Sequence, residues 1–371
     1  MPYRRWAAWS ALIFFLSEAP RPAAAVPLFA HQYGVTCQKC HSVIPHLNAF
    51  GAAFLANGER LPQIAADPDA LPVSMKVNLV GSSVNQGSGP NGAGLPKAIV
   101  DEIELFASGT IGTRANYFVE QYAVDGGEHG LLRDMWIEDR VNPWQARVPV
   151  SAQIGQFTLP LPVDPETFRD SYQDYTVYTQ TAGANPFTFF APHLGGRVGI
   201  GNPLRGLSVQ LFAGPGYDRQ SGLPKTGVDT MEYAQDTMGA FGLSAYHFSG
   251  TRPIGGGDEF WRTGFGFTYG QWSRFSSETV LQNGWDSNCG IPGMAGCSSS
   301  GGFEQLRYAL SRRLFAEARY EGTNDPSGFT RDGVLLVGYG PTENTRLTLE
   351  DVITEQPRPS NTMNLQATVA Y

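Results

Sequence analysis

The sequence predicts a mainly β protein, an antiparallel barrel of about 14–16 strands behind a small α-helical N-terminal segment. Three observations carry the prediction. From about Pro72 to Tyr371, short segments of alternating apolar and polar residues are separated by clusters of Gly, Pro, Asn and Asp, with little helical periodicity. Beyond residue 25 no stretch reaches the roughly 18 uncharged apolar residues that a membrane-crossing helix needs. The last segment alternates Met363, Leu365, Ala367, Val369 and Tyr371 with Asn364, Gln366, Thr368 and Ala370, ending on an aromatic.

Composition agrees and narrows the classes. With 42% hydrophobic, 12% aromatic and 16% charged residues, the chain is too apolar for disorder and too weakly charged for a coiled coil. Its 26 Lys and Arg form no run, and the net charge is −8, so there is no electrostatic footprint for nucleic acid. Catalytic triads, phosphate-binding loops and paired glycosidase carboxylates do not appear.

Residues 1–25 read as a secretory signal. Arg4 and Arg5 precede an apolar run from Trp6 to Leu16, and Ala23, Ala24 and Ala25 are the small residues a signal peptidase cleaves beside. Removing this segment takes away three Arg and one Glu, which leaves the exported chain more acidic than the whole. In an exported chain, Cys289 and Cys297 fit a disulfide closing an eight-step loop, with free thiols as the alternative.

Residues 26–71 carry Cys37-Gln38-Lys39-Cys40-His41, the attachment pattern of a c-type haem. Two thiols three positions apart match the two vinyl groups of the porphyrin, and the adjacent imidazole falls beneath the iron as its proximal ligand. A redox dithiol would need a βαβ context, and a zinc site would need a further ligand pair beyond Cys289 and Cys297. One covalent haem c, held by Cys37 and Cys40 with His41 on the iron, is the expectation. Leu47, Phe50, Phe54 and Leu55 recur at helical spacing before Asn57-Gly58, which predicts a short helix packed on the macrocycle, with Gly51 allowing close approach. Some 46 residues cannot wrap a haem alone, so another part of the chain must supply the second wall.

Residues 72–371 supply the barrel. In Leu314–Glu321 one face carries Leu314, Ala316, Ala318 and Tyr320, and the other carries Phe315, Glu317, Arg319 and Glu321. The same holds for Ile103, Leu105 and Ala107 against Glu102, Glu104 and Ser108, and for Leu347 and Leu349 against Arg346, Thr348 and Glu350. A soluble β-sandwich would alternate too. The barrel is favoured by the terminal strand, by aromatics near strand ends (Tyr117, Trp136, Trp144, Tyr269, Trp272, Tyr339), and by the unbroken series. Longer connections, among them Gly87–Gly94, Gly214–Thr237 and the Cys289/Cys297 loop, are expected outside the cell. Asp164–Gly195 is expected either to start a helix folded into the lumen, capped at Asp164-Pro165-Glu166, or to be a strand with a long loop.

The block Phe29 to His41, followed by Pro45, Leu47, Asn48, Phe50, Gly51, Phe54 and Asn57-Gly58, resembles the N-terminus of fused monohaem cytochrome-porin proteins of the outer membrane. These include the iron(II)-oxidising outer-membrane cytochromes and related haem-bearing porins. The resemblance covers about 40 residues and implies a haem that plugs the pore in the barrel lumen or on its periplasmic side. It further implies an extracellular donor such as Fe(II), a periplasmic cytochrome or copper protein as acceptor, and outer-membrane lipid around the barrel. The candidates for the sixth iron ligand are Met75 on the first strand, His31 from the N-terminal side and the poorly placed His46, beside another residue or an open position. Three function classes follow: an electron-transfer oxidoreductase, a passive or selective porin with a haem-bearing plug, and an exported soluble cytochrome.

Overall fold

The computed structural model describes residues 28–61, 66–67, 70, 72–86, 97–112, 114–140, 148–215, 227–254, 257–355 and 359–371. The expected signal sequence, Trp144 and the expected Gly87–Gly94 loop lie outside the described residues.

Among the described residues the chain forms a closed, fully antiparallel barrel of sixteen strands. The first five are β1 Val73–Gln86, β2 Lys97–Ile111, β3 Ala115–Asp125, β4 Leu132–Arg140 and β5 Val150–Phe157. A long connection leads to β6 His193–Gly201, β7 Gly206–Gly214, β8 Asp229–Met238, β9 Phe241–Arg252 and β10 Asp258–Tyr269. The remainder are β11 Phe275–Asp286, β12 Cys297–Ala309, β13 Leu314–Asp325, β14 Gly328–Tyr339, β15 Thr345–Thr354 and β16 Ser360–Ala370. β16 pairs with β1 from Ser360 opposite Gln86 to Ala370 opposite Lys76, so no sheet edge remains unpaired. The even strand number lies at the top of the range expected from the sequence.

Burial separates a membrane barrel from a soluble sandwich. On β13, Glu317, Arg319 and Glu321 are buried while Tyr320 is 57% exposed. On β16, Asn364, Gln366 and Thr368 are buried while Leu365 is 57% exposed. A soluble sandwich would do the reverse, because apolar area exposed to water costs roughly 25 cal/mol per Å². The apolar faces point outward to lipid and the polar faces fill the lumen. No helix among the described residues is long and apolar enough to cross a membrane, and the strands do the crossing.

Turns at the two ends differ. At one end the connections are short, such as 112–114, 202–205, 239–240 and 310–313, and both ends of the barrel sequence lie there. Exposed Phe241, Tyr269, Phe275, Tyr308, Tyr339 and Tyr371 ring this mouth, as interfacial aromatics do. Trp136 departs from the expected girdle: its neighbours Met135 and Ile137 face lipid, so Trp136 turns inward and stacks on Phe118 with centroids 5.5 Å apart.

At the other end are the longest connections. The Cys289–Cys297 loop is closed by a disulfide, as the spacing predicted. The loop expected over Gly214–Thr237 is shorter than that stretch, because β8 already starts at Asp229. Residues 158–192 fold back into the lumen from this end. No helix starts at Asp164: its Oδ1 accepts from the Glu166 amide at 3.1 Å and its Oδ2 from the Thr167 hydroxyl at 2.5 Å, which makes a side-chain-closed turn. The only helix in the loop among the described residues is the single turn Thr176–Thr179. Its aromatics pack against lumen-facing β9, β10 and β12 residues, with Phe187 stacked on Phe248 at 4.3 Å and Tyr175 on Phe303 at 4.3 Å.

Candidate functional site

The N-terminal cassette enters through the short-turn mouth. Helix α1, Leu28–Gln32, leads to a single 3₁₀ turn at Cys37–Lys39, and a two-stranded ribbon pairs His41–Val43 with His46–Leu47. Helix α2, Ala49–Ala56, follows where helical spacing predicted it. Asn48 caps it, accepting from the Phe50 and Gly51 amides at 2.9 and 3.0 Å. Gly58 ends it in the left-handed region, φ 67°. At Gly51 a side chain would collide with the Cys40 carbonyl and Leu47, so glycine here lets the helix lie directly on the cysteine motif.

The barrel wall fastens this cassette. Arg140, at the end of β4, donates from Nη1 to the carbonyls of Leu55 and Ala56 at 3.0 and 2.5 Å, which satisfies the C-terminus of α2. Gln32 donates to the Ser108 carbonyl at 2.9 Å. The buried Glu59 carboxylate accepts from Ser108 Oγ and Asn116 Nδ2, both at 3.1 Å, and burial pushes its pKa up to about 7. Val43 packs with Phe315 and Leu336 of the opposite wall.

The cassette also meets the lumen loop. Leu47 donates its amide to the Thr167 carbonyl at 3.3 Å, and His46 lies edge-on to Phe168 with Nδ1 3.5 Å from Asp170. Asp170 is fully buried. Arg307 of β12 donates to it at 2.5 Å, and Arg346 of β15 reaches it at 3.6 Å. Burial alone would raise this carboxyl, but Arg307, His46 and Arg346 outweigh it and hold the group well below the usual carboxylate range.

Cys37, Cys40 and His41 come together on one cavity of about 1050 Å³. Both thiols are free, and burial pushes each up to about 11. The His41 ring donates from Nδ1 to the Pro45 carbonyl at 2.8 Å, and burial pushes its pKa down to about 4, so the imidazole is neutral. That bond orients the ring and leaves Nε2 as its free nitrogen, the arrangement usual for metal-bound histidines. Leu28, Phe29, Val35, Leu47 and Phe54 line the cassette side of the cavity, and Phe106, Phe118 and Trp136 line the barrel side. The chain therefore supplies two thiols, an oriented imidazole and apolar walls, a donor set that fits a covalent haem, and the barrel forms the second wall that the short cassette lacks.

The distal candidates are placed differently. Met75 lines the mouth of the same cavity, while its register opposite Leu105, 45% exposed, puts its side chain in the lipid-facing row. His31 is exposed on α1 and does not line the cavity. His46 does not line the cavity either; its Nδ1 lies 3.5 Å from Asp170.

Sequence reasoning missed what lies across the cavity. Glu120, Asp134 and Glu166 bring carboxylate oxygens within 4.8 Å of one another on its wall. Alternation alone could place Glu120 and Asp134 in the lumen, but Glu166 arrives only with the infolded loop.

The chain matches no known family profile and no curated protein sequence. Among solved structures it is similar to the anion-selective porin from Comamonas acidovorans, with a TM-score of 0.60 at 10% identity over 81% of this chain and 98% of that one. Salmonella typhi OmpF, in complex with daunomycin, gives a TM-score of 0.58 at 12% identity over 81% and 97%. OmpT of Vibrio cholerae gives 0.54 at 10% over 81% and 97%. At these identities the likeness is one of fold: the chain is a porin-like sixteen-strand barrel, a form that fits the outer membrane.

Proposed function

We propose that the chain is an outer-membrane electron-transfer protein, whose N-terminal cassette holds one c-type haem at the periplasmic mouth of a porin-like barrel. In this reading the short-turn end faces the periplasm, as in bacterial barrels generally. When bound, the haem supplies one-electron chemistry between an extracellular donor, foremost Fe(II), and a periplasmic cytochrome or copper protein. Cys37 and Cys40 would hold it covalently, and His41 would be its proximal ligand. The observation that carries the reading is the Cys37–His41 motif laid on a cavity with His41 Nδ1 already tied to Pro45. Arg140 and Glu59 keep the cassette against the wall, and α2 covers the motif through Gly51.

A second reading, a passive porin with the same cassette as a structural or sensory plug, is favoured by the solved-structure likeness, which is to porins. The two readings part on electron flow. Wild type is expected to give a haem-stained band on a denaturing gel, and Cys37→Ala or Cys40→Ala to lose it. Stopped-flow reduction of the ferric haem in intact outer-membrane vesicles then compares Fe(II) with other small reductants. An unstained wild-type band ends the cytochrome reading. A stained protein that no external donor reduces faster than it reduces a control cytochrome leaves the passive porin.

A further inference from the structure

We propose that Glu120, Asp134 and Glu166 form a binding site for a hard divalent cation inside the barrel. Glu120 on β3 and Asp134 on β4 are directly opposite across the strand pair. Like charges so placed repel, and the ladder tolerates them when a cation lies between. Glu166, from the infolded loop, completes the set, with all three ligand oxygens within 4.8 Å of one another. Metal–oxygen bonds of about 2.0–2.6 Å put opposite ligands of one ion up to about 5 Å apart, so a single ion spans this set. Carboxylate-only chemistry selects Mg, Ca, Mn and Fe(II)-like ions over soft metals.

An independent observation points the same way. Asp134 lines the cavity and is 95% buried, since only 5% of its surface is exposed, and its Oδ1 has no hydrogen-bond partner among the described residues. A buried acceptor left unmade is an uncompensated desolvation cost, larger when charged, and an ion removes that cost. Arg133 approaches Glu166 Oε1 at 2.9 Å and Thr158 Oγ1 donates to it at 2.7 Å, which fixes this ligand in place while Arg133 offsets one of the three charges. Lys76 is engaged by Glu104 at 2.6 Å and leaves the trio acidic.

The cluster and the Cys37–His41 motif line one cavity, so the cation would be held on the path between the barrel interior and the cassette. Its role as the station of the electron donor rests on the electron-transfer reading; cation binding does not.

The test titrates Mn(II) into the full-length, haem-loaded barrel in detergent and follows the free ion by electron paramagnetic resonance. Wild type and Glu278→Gln, which removes a buried carboxylate of the packed half, are expected to bind one Mn(II) per barrel. Glu120→Gln with Asp134→Asn is expected to bind at least about tenfold more weakly. Heat-modifiable gel migration checks folding, and Glu120→Gln alone carries the comparison if the double variant misassembles. A wild type with no stoichiometric Mn(II), or variants binding as wild type does, overturns the proposal. Mn(II) binding without haem reduction by any external donor would defeat the electron-transfer reading and leave the cation site standing.

Discussion

The two halves of the lumen are built from the same alternating strands and filled in opposite ways. Along β8 to β12, the infolded loop packs Tyr175, Tyr178, Phe187 and Phe189 against Phe248, Phe260 and Phe303, and buried arginines there sit in ion pairs. Arg252 meets Asp229 and Arg262 meets Asp286, each at 2.8 Å. Along β1 to β5 the wall carries Glu102, Glu104, Glu120, Asp134 and Glu138 around an open cavity, and the acids outnumber their partners. An ion pair sealed under aromatics holds one geometry, because leaving either charge alone would cost several kcal/mol. Acids left open to a cavity can instead exchange partners with whatever enters. One half is thus a fixed wall and the other a site. Asp170 ties the infolded loop to the cassette through His46 and to the barrel wall through Arg307 and Arg346.

The contrast can be broken by substitution. Phe187→Ala is expected to destabilise the packed half by about 3–5 kcal/mol, because the ring is buried between Phe189, Phe248 and Phe260 and leaves a cavity no neighbour fills. Denaturant unfolding from detergent measures the loss. An equal loss in Glu120→Gln would erase the distinction between the halves.

Asp170→Asn should cost about 3 kcal/mol by leaving Arg307 buried without its carboxylate. Faster proteolysis of the 158–192 loop, with the outer strands still protected in hydrogen exchange, is the expected signature. The carboxyl is held low in the folded state, so this stabilisation is complete above the ordinary carboxylate range and is lost only as pH falls through the depressed value.

The smallest effect is at Glu59, whose pKa is raised to about 7 by burial. The folded cassette then binds more protons than the unfolded one, so its docking weakens as pH rises from the ordinary Glu value through about 7. Between about pH 5 and pH 8 the change should be about 2 kcal/mol, and Glu59→Gln should flatten it. Hydrogen exchange of residues 49–56 against pH reads this directly. A slope that survives the substitution would assign the titration elsewhere.

Much of the fold was legible because a barrel strand advertises both faces. Residues 314–321 and 363–371 carried a strict two-residue period, and each lumen or lipid assignment drawn from it is met in the burial. The cysteine spacing named its own bridge at Cys289–Cys297, and Asn57-Gly58 marked the end of α2. Where the local signal misled, a tertiary contact had replaced it. Asp164 looks like a helix cap, yet its side chain closes a turn, accepting from the Glu166 amide and the Thr167 hydroxyl. Trp136 looks like an interfacial aromatic, yet the register turns it inward onto Phe118.

What the sequence by itself determined is the set of groups available: two thiols and an imidazole at fixed spacing, an acidic chain, and strands with one polar and one apolar face. These are local properties, set by covalent spacing and the pleat. Only the tertiary structure decided which groups share a cavity. Closing β16 onto β1 brings the two ends of the barrel together at the mouth that the cassette enters, and the infolding of 158–192 carries Glu166 to Glu120 and Asp134 and Asp170 to His46. Such juxtapositions depend on where a long loop finds its buried partners, and no short-range period in the chain encodes that choice.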